Sequence, residues 1–131
     1  PPSPPSPPPF PPPPPPTTGW FPSELGQSCT DACTANGLIC DVLEARANMD
    51  QIDEASEYDA ITATMQFGNE TGTICNSHPQ SHVSSYPNYR PSDGRCGLSG
   101  TNPDGSYGYG CPTSAIGFYR ICYCVADRPS P

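Results

Sequence analysis

Eight cysteines, Cys29, Cys33, Cys40, Cys75, Cys96, Cys111, Cys122 and Cys124, fall in the central part of this 131-residue chain, and no other feature restricts its fold as strongly. An even number of cysteines in a short unit reads as a disulfide framework closed in an oxidising compartment. That places the chain in the secreted class. Hydrophobic residues make up 34% of the sequence and charged residues 14%, so the apolar core is thin and covalent support is required. Zinc knuckles need paired Cys-x2-4-Cys spacing, often with histidine, and the Cys122/Cys124 pair is too tight for that. No metal or other cofactor is expected.

Residues 1–16 read PPSPPSPPPFPPPPPP, broken only by Ser3, Ser6 and Phe10. Proline fixes φ and lacks an amide hydrogen, which excludes helix and sheet and favours polyproline II. At about 3.1 Å per residue such an arm reaches roughly 50 Å. Thr17, Thr18 and Gly19 release the constraint, giving an expected arm over 1–18 and a cysteine-rich globular domain over 19–126. Residues 127–131, Asp-Arg-Pro-Ser-Pro, return to the same vocabulary and read as the start of a second Pro-rich tail. The chain begins at proline rather than methionine, which fits a mature form or one piece of a longer polypeptide.

The formal charge is −8, with five arginines and no lysine. That leaves no basic stripe for nucleic acid or an anionic membrane, and no run reaches the roughly 20 apolar residues of a membrane span. Within the globular domain, Ser28 followed three residues on by Asp31, with Asn36-Gly37 as a stop, predicts a helix over 29–35. Asp41 opens a second helix over 42–48, and a third is expected over 51–58. Strands are expected at 61–67, 72–75 and 118–125. The segment 76–111, dense in Ser, Pro, Gly, Asn and Tyr, reads as ordered loop pinned by disulfides.

Cys29 and Cys33, four apart, share one helix face, and Cys122 and Cys124, two apart, share one strand face. The helical rise over four residues, about 6 Å, nearly matches the strand rise over two, about 6.6 Å, so the two faces can be stapled together. This Cys-x3-Cys helix with a Cys-x-Cys strand resembles the cystine-stabilised αβ motif of defensins and scorpion toxins. The resemblance implies Cys29–Cys122 and Cys33–Cys124. The remaining four cysteines allow three pairings, of which Cys40–Cys75 with Cys96–Cys111 is favoured because the latter closes a Gly-rich loop. The expected class is therefore α+β, a small disulfide-rich domain with a cystine-stabilised helix-strand element, preceded by a polyproline II arm.

No catalytic set emerges: nucleophile elbow, zincin helix and phosphate loop are all missing, and each cysteine is committed to a bridge. The chain is not expected to be an enzyme. Asp50, Asp53, Glu54, Glu57 and Asp59 crowd ten positions, but the alternating ligand spacing and central glycine of a calcium loop are lacking, so they read as a solvated face. His78 and His82 are four apart with Pro79 between them, which argues for loop histidines rather than aligned ligands. Asn69-Glu70-Thr71 is an N-glycosylation sequon. Ser3, Ser6, Thr17 and Thr18 sit in a composition suited to O-linked sugar.

Tyr86, Tyr89, Tyr107, Tyr109, Tyr119 and Tyr123 crowd the last third of the chain. Aromatic rings bury much area and fill small cores, yet the Gly-spaced run 106–110 reads as loop. Tyr86, Tyr89, Tyr107 and Tyr109 are therefore the candidates for an exposed aromatic surface that binds sugar rings or polyproline II ridges. An arm docking on the next copy would make a head-to-tail contact that does not close.

The arm Pro1-Pro2-Ser3-Pro4-Pro5-Ser6-Pro7 joined to the Cys29–Cys40 cluster resembles the hydroxyproline-rich glycoproteins of green-algal walls and matrices, pherophorins among them. The resemblance implies prolyl hydroxylation, with arabinose- or galactose-rich glycans at positions such as Ser3, Pro4, Pro5, Ser6, Pro7 and Pro8. It also implies a place in a cell wall, extracellular matrix or cell-surface fibre. The expected function is a structural subunit, with copies of itself, other matrix glycoproteins and glycans as partners. The alternative is a carbohydrate-binding, lectin-like module on a Pro-rich linker.

Overall fold

Helix α1 (Cys29–Ala35) forms where its caps dictate. The Ser28 hydroxyl accepts the Asp31 amide at 3.2 Å, satisfying one of the amides that a helix leaves orphaned at its start. At the other end Gly37 adopts φ 72°, and the Leu38 and Gly37 amides donate back to the Cys33 and Thr34 carbonyls. That is a Schellman stop, which needs the left-handed backbone glycine supplies. Helix α2 (Val42–Ala47) is opened by the Asp41 carboxylate, which accepts from the Leu43 and Glu44 amides. A 3-10 turn (Met49–Gln51) and helix α3 (Ala55–Thr62) follow.

This computed structural model describes residues 2–9, 11 and 17–126. Residues 2–9 and 11 are exposed and lie outside any helix or strand. The expected rod also runs through 1, 10 and 12–16, and the expected tail is 127–131; both sets lie outside the described residues.

Seven strands complete the fold: β1 (Gly19–Pro22), β2 (Gln66–Phe67), β3 (Glu70–Thr71), β4 (Gln80–Ser81), β5 (Asn88–Arg90), β6 (Arg95–Ser99) and β7 (Tyr119–Cys124). Five of them form one sheet in the order β1-β7-β5-β6-β4, and β2-β3 is a separate hairpin. β1 runs antiparallel to β7 from Gly19↔Cys124 to Pro22↔Ile121. β5 pairs antiparallel with β7 and β6, and β4 pairs parallel with β6. The result is a small mixed α+β unit held by four disulfides.

Two of those bridges, Cys29–Cys122 and Cys33–Cys124, lock α1 to β7 with Cα separations of 5.4 and 5.3 Å, the pairing that the αβ-motif resemblance implies. The other two correct the expected pairing. Cys40 joins Cys111 and Cys75 joins Cys96, in place of Cys40–Cys75 and Cys96–Cys111. The reason lies in the sheet. Cys96 belongs to β6, beside which the 76–77 backbone runs: the Asn76 amide donates to the Gly94 carbonyl and the Cys96 amide to the Ser77 carbonyl, so Cys75 is its near neighbour.

Other expectations change as well. The helix expected over 51–58 runs instead over 55–62, and the strand expected at 61–67 keeps only its last two residues, as β2, because Tyr58 and Thr62, one turn apart, are both fully buried and the Thr62 hydroxyl donates to the Tyr58 carbonyl at 2.9 Å. Tertiary burial here overrides the β preference of Ile61 and Thr62. Residues 72–75 form no strand, while 76–111 carries β4, β5 and β6 rather than loop alone. β6 was hidden by Gly97, which is demanded by packing: a Cβ there would stand 2.2 Å from Asn88 Oδ1.

Candidate functional site

The four tyrosines expected to form an exposed aromatic surface do not. Tyr86, Tyr89 and Tyr109 retain 8%, 2% and 0% of their accessible surface, which makes them core, and Tyr107 is half-buried. Burial wins because each ring has a local partner. Arg120 lies with its guanidinium 4.9 Å from the Tyr109 ring centre, and the Tyr86 hydroxyl accepts from Arg95 at 3.1 Å. Burial also pushes the Tyr58 and Tyr109 hydroxyls above their ordinary ionisation range.

What the aromatics do build is a ridge at Tyr119. Phe67 meets Tyr89 and Tyr119 edge-on, with centroids 5.2 and 5.3 Å apart, and Tyr89 stacks on Tyr119 at 6.3 Å. Tyr119 itself is half-buried. On one flank lies a cleft of about 420 Å³, lined by Pro22, Ser23, Glu24, Leu25, Gln66, Gly68 and Tyr119. On the other flank a cleft of about 270 Å³ is lined by Phe67, Asn69, Glu70, Tyr89, Pro91 and Tyr119. Tyr119 and residues of the β2-β3 hairpin line both clefts, and the pair is called the Tyr119 trough. Sequence reasoning named Tyr119 without selecting it and missed Pro22, Leu25, Phe67 and Pro91; Phe67 ahead of a Gly-Asn turn was the available signal.

That turn holds the sequon. Gly68 has φ 62° and Asn69 is not in the positive-φ region, so the two-residue connection of β2 to β3 is of type II′, with glycine first. Asn69 is exposed at its tip and Thr71 donates its hydroxyl to Gln66 Oε1 at 2.9 Å. A Cβ on Gly68 would meet the Tyr119 hydroxyl at 2.9 Å, so the tip rests against the ridge. In the arm, Ser3, Pro4, Pro5, Ser6, Pro7 and Pro8 are exposed.

A second, polar cleft of about 340 Å³ is lined by Asp53, Gln80, Ser81, His82, Gly100, Thr101 and Tyr107. The Tyr107 hydroxyl donates to Asp53 Oδ2 at 2.8 Å, and burial together with that carboxylate pushes its pKa up to about 12. Burial and then Asp53 also raise Glu57. Asp50, Glu54 and Asp59 are exposed. His78 Nε2 sits 3.0 Å from Asp59 Oδ1, and Cys75, His78 and Cys96 place their ligand atoms within 4.8 Å of one another. The two sulfurs are bonded to each other, so the group offers a metal one nitrogen and a neighbouring carboxylate.

No family model matches the chain, and no curated protein matches it in sequence. Four disulfides, with no helix among the described residues long and apolar enough to cross a membrane, are compatible with a secreted, extracellular protein.

Proposed function

We propose that this chain is a structural subunit of an extracellular glycoprotein matrix or fibre, in which the Pro-rich arm of one copy docks in the Tyr119 trough of the next. One observation carries the reading: arm root and trough sit at opposite ends of β1, with Gly19 following the arm and Pro22 lining the trough. Plug and socket at opposite ends of one strand favour a heterologous contact, which propagates instead of closing. The chemistry suits the pair. Polyproline II offers apolar ridges and carbonyls with no amide donors, and grooves that accept it are lined by aromatic rings. Hydroxylation and glycosylation of the exposed Ser3–Pro8 stretch keep the undocked arm soluble. A glycan on Asn69 rims the socket.

Sedimentation and electron microscopy of the full chain test this reading. The full chain forms concentration-dependent linear assemblies, whereas deletion of residues 1–16 or Tyr119→Ala leaves monomers of unchanged circular dichroism. Assembly that survives both changes overturns it.

The polar cleft at Tyr107 supports a second reading, a carbohydrate-binding module, because a ring beside amide, hydroxyl and carboxylate groups suits a sugar. Polysaccharide binding that persists without residues 1–16 and is lost in Tyr107→Ala favours that module. Assembly without such binding favours the subunit.

A further inference from the structure

The polypeptide enters and leaves the globular unit at one point. The Ala126 amide donates to Thr18 Oγ1 at 3.1 Å, and the antiparallel β1–β7 ladder begins next to them at Gly19↔Cys124. A pull that separates residues 18 and 126 therefore peels this ladder from its open end, one residue pair at a time. Hydrogen bonds broken singly resist little.

Peeling ends at the cystines. The first covalent junction met from Thr18 is Cys29, joined to Cys122, and the first met from Ala126 is Cys124, joined to Cys33. Cys40–Cys111 nests inside both, and Cys75–Cys96 nests inside that. The sequence separations fall accordingly, from 93 and 91 to 71 and then 21. The outer two bridges cross one another and the inner two lie within both, so neither inner bridge feels the pull while either outer one holds. All four of the outer cysteines are fully buried, which shields them from reductants.

We propose that the globular unit is a tension-bearing link: Cys29–Cys122 and Cys33–Cys124 carry pull between residues 18 and 126, and residues 34–121 hang beside the load path as reserve length. The proposal rests on the cystine pairing and the β1–β7 register. It stands whether or not the arm docks at Tyr119.

With all bridges intact the shortest covalent route is 18–29 and then 122–126, about 17 residues, which at about 3.5 Å each reaches roughly 60 Å. The route through the whole of 18–126 reaches roughly 380 Å.

Single-molecule stretching of the full chain, held by handles at its two ends, reads these lengths directly. Without reductant the globular unit lengthens by no more than roughly 60 Å. A dithiol reductant then cuts each loaded cystine, leaving two protein thiols while the dithiol closes to its cyclic disulfide. Cutting the outer pair gives a first step of at most about 7 Å and a second of about 70 Å, from the routes closed by Cys33–Cys124 and Cys40–Cys111. Loss of Cys40–Cys111 then releases about 175 Å, and loss of Cys75–Cys96 a last step of about 70 Å. In C75S/C96S the last two steps merge into one of about 245 Å. Extension well beyond 60 Å without reductant, or a staircase lacking the long third step, overturns the proposal.

Discussion

The α1–β7 pole and the 76–111 face are each crossed by cystine bridges, but in opposite surroundings. At the pole all four half-cystines are fully buried beside Ala32 and Ile121, and both partners belong to regular elements. Covalent and apolar terms coincide there and reinforce one another. On the 76–111 face Cys40, Cys75 and Cys111 are only half-buried, and the interior is polar: Asn88, Ser99 and Arg120 are enclosed. Among the described residues, Asn88 Oδ1, Arg95 Nε and both Nε and Nη2 of Arg120 are buried without partners. This face depends on fitted contacts, with glycines pressed against backbone. A small chain can thus be closed either by staples between periodic elements or by shape, and the two fail differently.

Removing the pole's staples has the largest expected effect. A native bridge contributes about 2 to 5 kcal/mol, and either bridge of the crossed pair alone still closes most of the loop. C29S/C33S/C122S/C124S therefore loses about 5 kcal/mol or more and is unfolded at 37 °C, whereas C75S/C96S loses about 3 kcal/mol and stays folded. Urea unfolding followed by circular dichroism ranks them, and equal losses would erase the contrast.

Gly108→Ala probes shape on the other face. The added Cβ would lie 1.5 Å from the His82 carbonyl oxygen, which belongs to backbone that cannot swing away. The expected cost is about 3 kcal/mol, read as a lowered urea midpoint.

Arg120→Met comes next. Burial pulls the Arg120 pKa down to about 10, so the guanidinium is still charged at neutral pH, and its Nη1 donates to the Gly110 and Thr113 carbonyls at 2.6 and 2.7 Å. Losing both bonds is only partly offset by removing the two unpartnered nitrogens. A net loss of about 2 kcal/mol follows, with faster hydrogen exchange over 110–117 and unchanged exchange in α1.

Glu57→Gln gives the smallest effect, and its sign depends on pH. Burial and Asp53 hold the Glu57 carboxyl above its ordinary value of 4.5, so the folded chain binds this proton more tightly than the unfolded chain. Its contribution is fully present below the unfolded value and is lost as pH rises through the folded one. Thermal melts of E57Q should match the parent at pH 4 and exceed it at pH 7. A lower midpoint at pH 7 would reverse the assignment.

The pole was legible in the sequence because its information is periodic. Ser28, Asp41 and Gly37 announce helix ends by local chemistry, and spacings of four and two put sulfurs on facing sides. The 76–111 face carries no such period. β4 and β5 are two and three residues long, and the glycine in β6 is there for Asn88 and Tyr86, contacts that only the folded sheet creates. The Cys40 partner was unreadable for the same reason, since it depends on where 105–111 lies over α2: Arg46 Nε donates to the Tyr109 carbonyl and Cys40 Sγ lies 3.3 Å from the Tyr109 hydroxyl. The same placement buried the rings that Gly-rich spacing had presented as surface. Of the candidate site, the sequon and the exposed arm residues were visible in advance, while the Tyr119 trough arises only when β1, β7 and the β2-β3 hairpin meet.

Cys75–Cys96 closes on itself, apart from the three cystines that surround it, and peptide mapping without reduction tests that separation most directly. A protease cutting on the amino side of aspartate separates 31–40, 59–92, 93–103 and 104–126. The pairing Cys75–Cys96 predicts 59–92 and 93–103 as an isolated two-peptide species, apart from a second one in which 1–30, 31–40 and 104–126 are joined. A single species holding all five peptides, as Cys40–Cys75 with Cys96–Cys111 would produce, contradicts it.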